Sequence, residues 1–559
     1  MLTVRLEPPR QRPAISRRSD PPTPGHPGRR AGRDALCWGW GGLLAALIAA
    51  GCGATPGPPA NTLIYGRGGD ANTLDPIHTD IGEAVKVLVN IYDTLVTYDD
   101  ETLDLVPALA TRWESAEDGL VWTFTLRDDV RFHDGTPLDA QAVVFSLERL
   151  IRDAHPDVHD AARPYAPSYR VIQQVRALGT HVVQLQLSSR SAVLLKNLAM
   201  FPASIVSPTA VRKYGKLFGQ HPVGTGPFRL ESWQRDEELV LAAFDDHWRG
   251  RPRVERVVFV PIPENAVRAA RLRRGEIHIA DNLPSSELER LAETRGIVLQ
   301  SQPGMNVAYL TMQVEKPPLD QRAVRQAIAQ AIDKRALVEV AYGGRAQPAV
   351  TLVPPTMWGH HDGLEDWPYD PAAARRLLAQ AATEGGWSLP LRLQLLVMDQ
   401  PRPYLQQPLQ TAALIKDSLA PLGIEVEIVL SDLNRHFERL MRGEHQLGLA
   451  GWSSDNADPD NFLYTLLDED HIAEIGNNLS RYRHPEVHRL LLAAQVELRE
   501  EVRRQMYLQA QELIHQDVPV VPLAHTEVRI AQQARLRGYR LHPSSLVRLR
   551  LAYFAEPAP

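Results

Sequence analysis

The sequence predicts an α/β protein that contains a parallel sheet, and two observations support this fold class. The first is the composition, since 44% of the 559 residues are apolar and 23% are charged, as in ordinary globular domains. The second is the region 391–452, where strand and helix periodicities alternate. Strands that alternate with helices pack in layers around a parallel sheet. At about 150 residues per domain, the length suggests three or four structural units.

The strands and helices of the body follow from hydrophobic periodicity. The strands predicted from alternation are 62–65, 121–126, 391–397, 424–430 and 446–452. The predicted helices are 83–95, one capped by Asp139, one after Asp320, one capped by Asp370 with Pro371 in its first turn, 405–420 and 433–441. Because proline cannot donate to a strand ladder, Pro519 and Pro522 predict that 518–523 is an edge strand or a connection.

The N-terminus predicts an export leader rather than a part of the fold. Residues 1–34 carry eight arginines and three acids, a charge of +5, and residues 35–50 carry no charge. A positive region, a short apolar run and small residues before Cys52 are the parts of an export signal. We therefore expect a leader at 1–51 and a flexible Pro/Gly-rich linker at 52–60.

Charge and cysteine content exclude several classes of function. With +5 on the leader and −6 overall, the remainder carries −11, and an acidic body argues against nucleic-acid binding. Cys37 and Cys52 are the two cysteines of the chain, so neither a disulfide framework nor a cysteine-based zinc site is expected. A body without thiols after Cys52 suits an oxidising compartment.

Three motifs of the body have plain structural interpretations. The turn 224–228 is rich in glycine but lacks the lysine of a phosphate-binding loop. His360 and His361 are adjacent, so their rings point apart and do not share a metal. The acidic run 455–460 lacks the glycine and glutamate of a calcium loop, which leaves a solvated turn or a loop that points a carboxylate into a cleft. The residues alone thus indicate no catalysis, metal or cofactor.

Four segments stand out when they are taken in order: Trp113–Gly119, Trp122–Gly135, Asp139–Ser146 and Gly224–Phe228. Together they resemble family 5 of the bacterial solute-binding proteins, the dipeptide and oligopeptide receptors of ABC importers. The resemblance extends over about residues 62–553. It implies a two-lobed periplasmic-binding-protein fold of class II type, with a ligand cleft between the lobes and an extra subdomain in the first. The implied divisions are lobe I at 61–308, lobe II at 309–520 and a return to lobe I at 521–559, with crossings near 305–312 and 518–525.

Two further segments, Pro401–Tyr404 and Gly451–Asn461, resemble the dipeptide-binding branch. This resemblance implies the site residues. In that branch the arginine at the position of Arg402 holds the peptide α-carboxylate, and the aspartate at the position of Asp455 holds the α-ammonium. The Asn-Pro that usually follows the arginine segment is Leu405-Gln406 here. By the same resemblance, Gly451 belongs to the site, Tyr404 and Trp452 line either the pocket or the core, and further cleft contacts come from Asn72, Thr73 and Asn477.

The resemblance implies a receptor that delivers short peptides to an ABC permease and has no enzymatic activity. It further implies an extracytoplasmic monomer, anchored to the membrane by a lipid on Cys52, because Ala49-Ala50-Gly51-Cys52 resembles a lipobox. The alternatives are another ligand in the same fold (haem, a nickel chelate, glutathione or an opine-like zwitterion), a chemosensory receptor, and a metal-dependent hydrolase.

Overall fold

A computed structural model describes residues 4–6, 61–99, 103–159, 163–472 and 476–555. The predicted linker and most of the predicted leader, with Cys37 and Cys52, lie outside these ranges. Within them, no helix combines the length and the apolar character needed to cross a bilayer. A three-residue strand, β1 (Val4–Leu6), pairs in parallel with residues 428–430.

The first part of the body, residues 61–303, contains short strands and helices. Its strands are β2 (Thr62–Arg67), β3 (Val96–Tyr98), β4 (Leu105–Pro107), β5 (Ala110–Ser115), β6 (Val121–Leu126), β7 (Ile172–Ala177), β8 (Val182–Leu187), β9 (Phe228–Gln234), β10 (Glu238–Ala243), β11 (Arg256–Pro261), β12 (Ile279–Asp281) and β13 (Ile297–Pro303). Its helices are α1 (Gly82–Ile91), α2 (Ala140–Ile151), α3 (Leu194–Leu198), α4 (Pro208–Tyr214), α5 (Asn265–Arg273) and α6 (Ser285–Ala292).

The second part, residues 306–517, has longer helices, and the chain then returns to the first part. Its strands are β14 (Asn306–Met312), β15 (Ala346–Pro348), β16 (Leu391–Met398), β17 (Ile424–Ser431) and β18 (Leu447–Ser453). Its helices are α7 (Arg322–Ala331), α8 (Lys334–Tyr342), α9 (Pro371–Gly385), α10 (Pro408–Leu419), α11 (Leu433–Met441), α12 (Asp460–Leu467), α13 (Pro485–Val496) and α14 (Glu500–Asp517). The returning strands are β19 (Val520–Gln533), β20 (Leu536–Arg537) and β21 (Tyr553–Phe554).

The strand pairing gives the two-lobed α/β fold that the resemblance implied. β16 pairs in parallel with β17 and β18, as the strand–helix alternation predicted. In the other lobe, β2 pairs in parallel with β11 and β12. The extra subdomain is a four-stranded antiparallel sheet in the order β5-β6-β8-β7, with α2 against β7 and β8.

β19 joins the two lobes, and its first residues agree with the prediction from the prolines. Among the described strands, residues 520–523 pair with β14 alone, whereas residues 524–533 also pair with β15, β13 and β12. Pro522 is tolerated because the ladder shifts register at this point, between Ala308 and Tyr309. The predicted lobe boundaries at 308 and 520 remain predictions.

Side-chain hydrogen bonds fasten the two connections between the lobes to each other. Asn306 Oδ1 accepts from the Thr526 N–H at 3.0 Å, and Asn306 Nδ2 donates to the Thr526 carbonyl at 3.2 Å. Nδ1 of the His525 ring lies 2.8 Å from the Asn306 carbonyl oxygen. The hinge is therefore one hydrogen-bonded unit rather than two independent strands.

Local sequence signals account for most helix boundaries. Asp139 accepts from the Ala142 N–H and Asp370 from the Ala373 N–H, which confirms both predicted caps. The helix predicted over 405–420 begins only at Pro408, because residues 402–405 form a turn and Pro408 fits the first helical position. The helix predicted over 83–95 ends at Ile91, where the backbone becomes extended.

Apolar side chains form a separate core in each lobe and a third cluster that crosses between them. The third cluster joins the extra subdomain to α12, α13 and α14 of the second lobe. The turn 224–228 is structural, as predicted. Gly226 donates to the Ile91 carbonyl at 2.9 Å, and a Cβ at this glycine would lie 2.5 Å from the Ile91 carbonyl carbon.

Candidate functional site

The loop that follows β18 carries Asp455 and is held by one asparagine. Asn461 Oδ1 accepts from the Asp455 N–H at 3.2 Å and from Trp452 Nε1 at 2.8 Å. Ser454 Oγ accepts from the Ala457 N–H at 3.0 Å. These bonds fix the loop before α12 begins, so the Asp455 carboxylate is held in place by its own backbone.

The half-buried Asp455 carboxylate has an acidic and phenolic environment. Burial raises the pKa of Asp455 to about 7, against the opposing effect of a hydrogen bond from the Tyr165 hydroxyl, and the charge of Asp80 raises it further. No basic side chain contributes to this shift. Among the described residues, no cation lies within salt-bridge distance of Asp455. A partly buried carboxylate without a basic partner can bind a cationic group of a ligand.

Asp458, three residues further along the same loop, has the opposite environment. Its carboxylate lies 2.8 Å from Arg503 Nη2 and 3.1 Å from Lys196 Nζ. Burial alone would raise the pKa of Asp458, but these two cations hold this pKa below its usual value. Asp460 is also buried and accepts from Gln495 Nε2 at 3.0 Å. The solvated-turn alternative is therefore wrong for these two aspartates, which are parts of the packed structure.

The same loop contacts the first lobe. Tyr98 Oη donates to the Asn456 carbonyl at 2.7 Å, and Asn456 Nδ2 donates to Asn197 Oδ1 at 2.8 Å. Lys196 Nζ donates to the Ala457 carbonyl at 3.1 Å. Asp455 thus lies where the two lobes meet, beside Tyr165 of the extra subdomain.

Arg402 lies on a tight turn that packs against β18. The backbones of Arg402 and Leu405 exchange two hydrogen bonds, of 3.0 and 2.9 Å. Tyr404 is buried against Gly451, where a Cβ would lie 2.1 Å from the Tyr404 ring, so only glycine fits there. The Arg402 side chain is exposed and hydrogen-bonds to Tyr404. Tyr404 therefore has a packing role, beside any contact with a ligand.

β18 brings the predicted charged residues into one region. Gly451 is in contact with the turn of Arg402, and Asp455 follows four residues later, at most about 14 Å along the chain. Trp452 lies between them and is half-buried. The structure thus collects Arg402, Tyr404, Gly451, Trp452 and Asp455, and their role as ligand contacts remains a prediction.

The other predicted contacts mainly shape loops. Asn72 Oδ1 accepts from Thr79 Oγ1 at 2.7 Å, and Thr73 Oγ1 accepts from the Asp75 N–H at 3.2 Å. These bonds hold the loop that ends in Asp80, the acid that acts on Asp455. Asn477 is half-buried, and its carbonyl accepts from the Leu479 N–H at 2.9 Å. Their contact with a ligand remains a prediction.

Potential metal ligands are engaged in other interactions. His360 Nδ1 lies 2.7 Å from the Val353 carbonyl, and His361 Nε2 lies 3.2 Å from Glu512. In the described part of the chain, the group with metal-ligand spacing is Asp468, Asp470 and His488. His488 Nδ1 there already contacts both Asp468 oxygens at 3.0 Å.

Sequence reasoning missed several residues around Asp455. These are Asp80, Tyr98, Tyr165, Lys196 and Asn197. They lie in four separate segments of the first lobe, with Lys196 and Asn197 adjacent in α3. No spacing in the sequence relates these segments to one another or to residue 455, so no local signal could have found them.

The chain is similar to known proteins over most of its length. The model of the bacterial extracellular solute-binding proteins, family 5 Middle, matches residues 104–474. The dipeptide-binding protein of Escherichia coli (strain K12) is 33% identical over 501 residues, which are 87% of this chain and 93% of that protein. Heme-binding protein A of Haemophilus influenzae is 33% identical over 470 residues, 81% of this chain and 85% of that protein.

A solved structure is similar over nearly the whole described body. It is the ABC transporter-associated periplasmic binding protein DppA from Helicobacter pylori in complex with the peptide STSA. Its TM-score is 0.79 at 31% identity, and the match covers 89% of this chain and 98% of that one.

Proposed function

Because the chain belongs to the bacterial extracellular solute-binding proteins of family 5, we propose that it is the solute receptor of an ABC importer and binds dipeptides and other short peptides between its lobes. The observation that carries the choice of ligand is the state of Asp455. This carboxylate is half-buried, fixed by its loop and without a basic partner in the described structure, while Arg402 presents an exposed guanidinium beside the same strand. A short zwitterion complements both groups.

The charges of Asp455 and Arg402, at the two ends of the site, determine where each terminus of the peptide binds. Asp455 accepts hydrogen bonds from the α-ammonium, and the Tyr165 hydroxyl holds the carboxylate in position. Arg402 offers a planar pair of donors to the α-carboxylate. Because both charges lie on fixed backbone, their separation selects for ligand length.

Haem is the second candidate ligand, because heme-binding protein A is as similar as the dipeptide-binding relative. The charged ends favour a zwitterion over haem, since haem carries no ammonium group for Asp455. The same argument disfavours a neutral nickel chelate, whereas glutathione and opine-like compounds keep both charges. An exported chain with a lipid on Cys52, acting as a monomer at the membrane surface, completes the proposal and is supported by the leader sequence.

A thermal-shift screen of the purified protein tests the proposed function. The ligands are dipeptides, tripeptides, longer peptides, glutathione, an opine, haemin and nickel–histidine. A ligand at 100 times its Kd should add about 2.7 kcal/mol of stability. We expect stabilisation by dipeptides. A response to haemin or nickel–histidine alone would keep the transport role and replace the ligand, and stoichiometric metal in the purified protein would revive the hydrolase.

We predict that dipeptide affinity increases as the pH is raised from 5.5 to 7.5. The ammonium binds the ionised Asp455, whose pKa is raised to about 7, so the binding form is lost as the pH falls through that value. Below pH 7 the affinity should fall about tenfold per pH unit, because binding then releases one proton. Above about pH 8 it should fall again as the peptide amine loses its own proton. Calorimetry across this range measures both limbs, and a flat profile below pH 7 would contradict the assignment.

N-acetylation of the dipeptide should weaken binding about a hundredfold or more. The acetyl group removes the ammonium and leaves Asp455 desolvated and unpaired, which costs about 3–5 kcal/mol in buried pairs. The matched control is the C-terminal amide of the same dipeptide, which tests Arg402 separately. Equal affinity of the acetylated and unmodified peptides would rule out Asp455 as the ammonium site.

A further inference from the structure

Arg529 is a half-buried arginine on β19, just beyond the crossing between the lobes. Its Nη2 donates to Ser285 Oγ of the first lobe at 2.9 Å and to Gln406 Oε1 of the second at 3.0 Å. Ser285 Oγ also lies 3.3 Å from Gln406 Oε1. The guanidinium is therefore held where the two lobes meet.

In the described structure, the direct partners of the Arg529 guanidinium are neutral oxygens. Among the described residues, no carboxylate lies within 4 Å of it, and its Nε and Nη1 make no hydrogen bond. Burial and the neighbouring charge of Arg345 lower the pKa of Arg529, while Glu527 and Glu289 act on it only through space. Glu527 is itself engaged, accepting from Ser301 Oγ at 2.6 Å. A partly desolvated cation with unused donors is stabilised by an anion that approaches from the cleft.

Arg529 lies at the same end of the site as Arg402. The backbone bonds between Arg402 and Leu405 close the turn, and Gln406, which contacts Arg529, is the next residue. Thr526, three residues before Arg529, has its Oγ1 3.0 Å from the Pro403 carbonyl of that turn. Two guanidiniums therefore flank the turn assigned to the peptide carboxylate.

Building on the proposed function, we propose that Arg529 is a specificity-determining residue that binds a second anionic group of the ligand. The substrate class is a short peptide with an acidic C-terminal residue. Arg402 receives the α-carboxylate, and Arg529 receives the side-chain carboxylate of aspartate or glutamate through its unused Nε and Nη1. A peptide whose C-terminal side chain is not acidic has one carboxylate, which binds Arg402 and leaves Arg529 without an anion.

Calorimetry with matched dipeptides tests this assignment. Ala-Asp is compared with Ala-Asn and Ala-Glu with Ala-Gln, so that each pair differs in charge and hardly in size. We expect the acidic member of at least one pair to bind about tenfold tighter or more. The Arg529→Gln variant should lose this preference and bind the amide member as the wild type does, and Arg529→Lys should restore part of it. Arg345→Gln, which removes the exposed neighbouring charge, is the matched control and should keep most of the preference.

The outcomes separate the new role from a structural one. If Arg529 only ties Ser285 to Gln406, Arg529→Gln will weaken all four peptides equally, and the assignment is overturned. Equal binding of the acidic and amide peptides by the wild type overturns it without any variant. If none of the four peptides binds, the proposed function fails and this assignment fails with it, whereas equal binding removes this assignment alone.

Discussion

Replacement of Asp455 by asparagine should weaken dipeptide binding by about two to three orders of magnitude. Asparagine keeps the size of the side chain and can still accept a hydrogen bond from Tyr165, but it offers no charge to the α-ammonium. Leaving one partner of a buried ion pair without its counter-charge costs about 3–5 kcal/mol. Calorimetric titration with one dipeptide at pH 7.5 gives the comparison with the wild type.

The same substitution should leave the empty protein as stable as the wild type or more stable. The pKa of Asp455 in the folded protein is about 7, above its value of about 3.9 in the unfolded chain. The stability from this group is therefore fully present below the unfolded pKa and is lost as the pH rises through 7. At pH 8 the wild type carries an unfavourable buried charge that the Asp455→Asn variant lacks. Chemical denaturation at pH 5 and pH 8 should show the variant gaining on the wild type at the higher pH.

A matched control separates the role of Asp455 from a general effect of charge. The Asp362 side chain is 92% exposed, so Asp362→Asn removes one negative charge without touching the site. We expect this variant to bind and to unfold as the wild type does. Unchanged dipeptide affinity of Asp455→Asn would exclude Asp455 as the ammonium site and, with it, the main support for a peptide ligand.

The second lobe shows how far local patterns can be used. The strands predicted at 391–397, 424–430 and 446–452 and the helix at 433–441 are all present within one residue, because alternation and 3.6-residue periodicity depend only on neighbours in the sequence. The prolines of 518–523 predicted an edge strand or a connection, and residues 520–523 pair with β14 alone among the described strands. The continuation of the strand to Gln533 depends on pairing with β12 and β13, and no pattern near Pro522 records it.

Only part of the site could be predicted from the sequence, because sequence patterns record local neighbours and not long-range contacts. Asp455 and Arg402 came from family motifs, which store long-range information in short segments. Burial of Asp458 could not be predicted, since the cations that neutralise it come from Lys196 in the first lobe and Arg503 in α14. Arg529 carried no motif, and its environment depends on Ser285 and Gln406 from two other segments.

Replacement of Asp458 by asparagine should lower the free energy of unfolding by about 3–5 kcal/mol, since it leaves the buried Arg503 and the half-buried Lys196 without their anion. Both cations also face the Trp358 ring, with Lys196 Nζ 4.7 Å and the Arg503 guanidinium carbon 4.9 Å from its centroid. That contact attracts each cation but cannot replace a full negative charge. Guanidinium denaturation should show a lower midpoint with an unchanged slope.

A double-mutant cycle shows whether the loss belongs to the ion pair. Arg503→Met combined with Asp458→Asn should be less destabilising than the two single changes added together, with a coupling of about 0.5–3 kcal/mol. Additive effects, or a midpoint that Asp458→Asn does not move, would contradict the structural role. A measured coupling would make Asp455 and Asp458 opposite cases on one loop. Among the described residues no cation neutralises Asp455, which is available to a ligand, whereas two cations neutralise Asp458, which holds the loop in place.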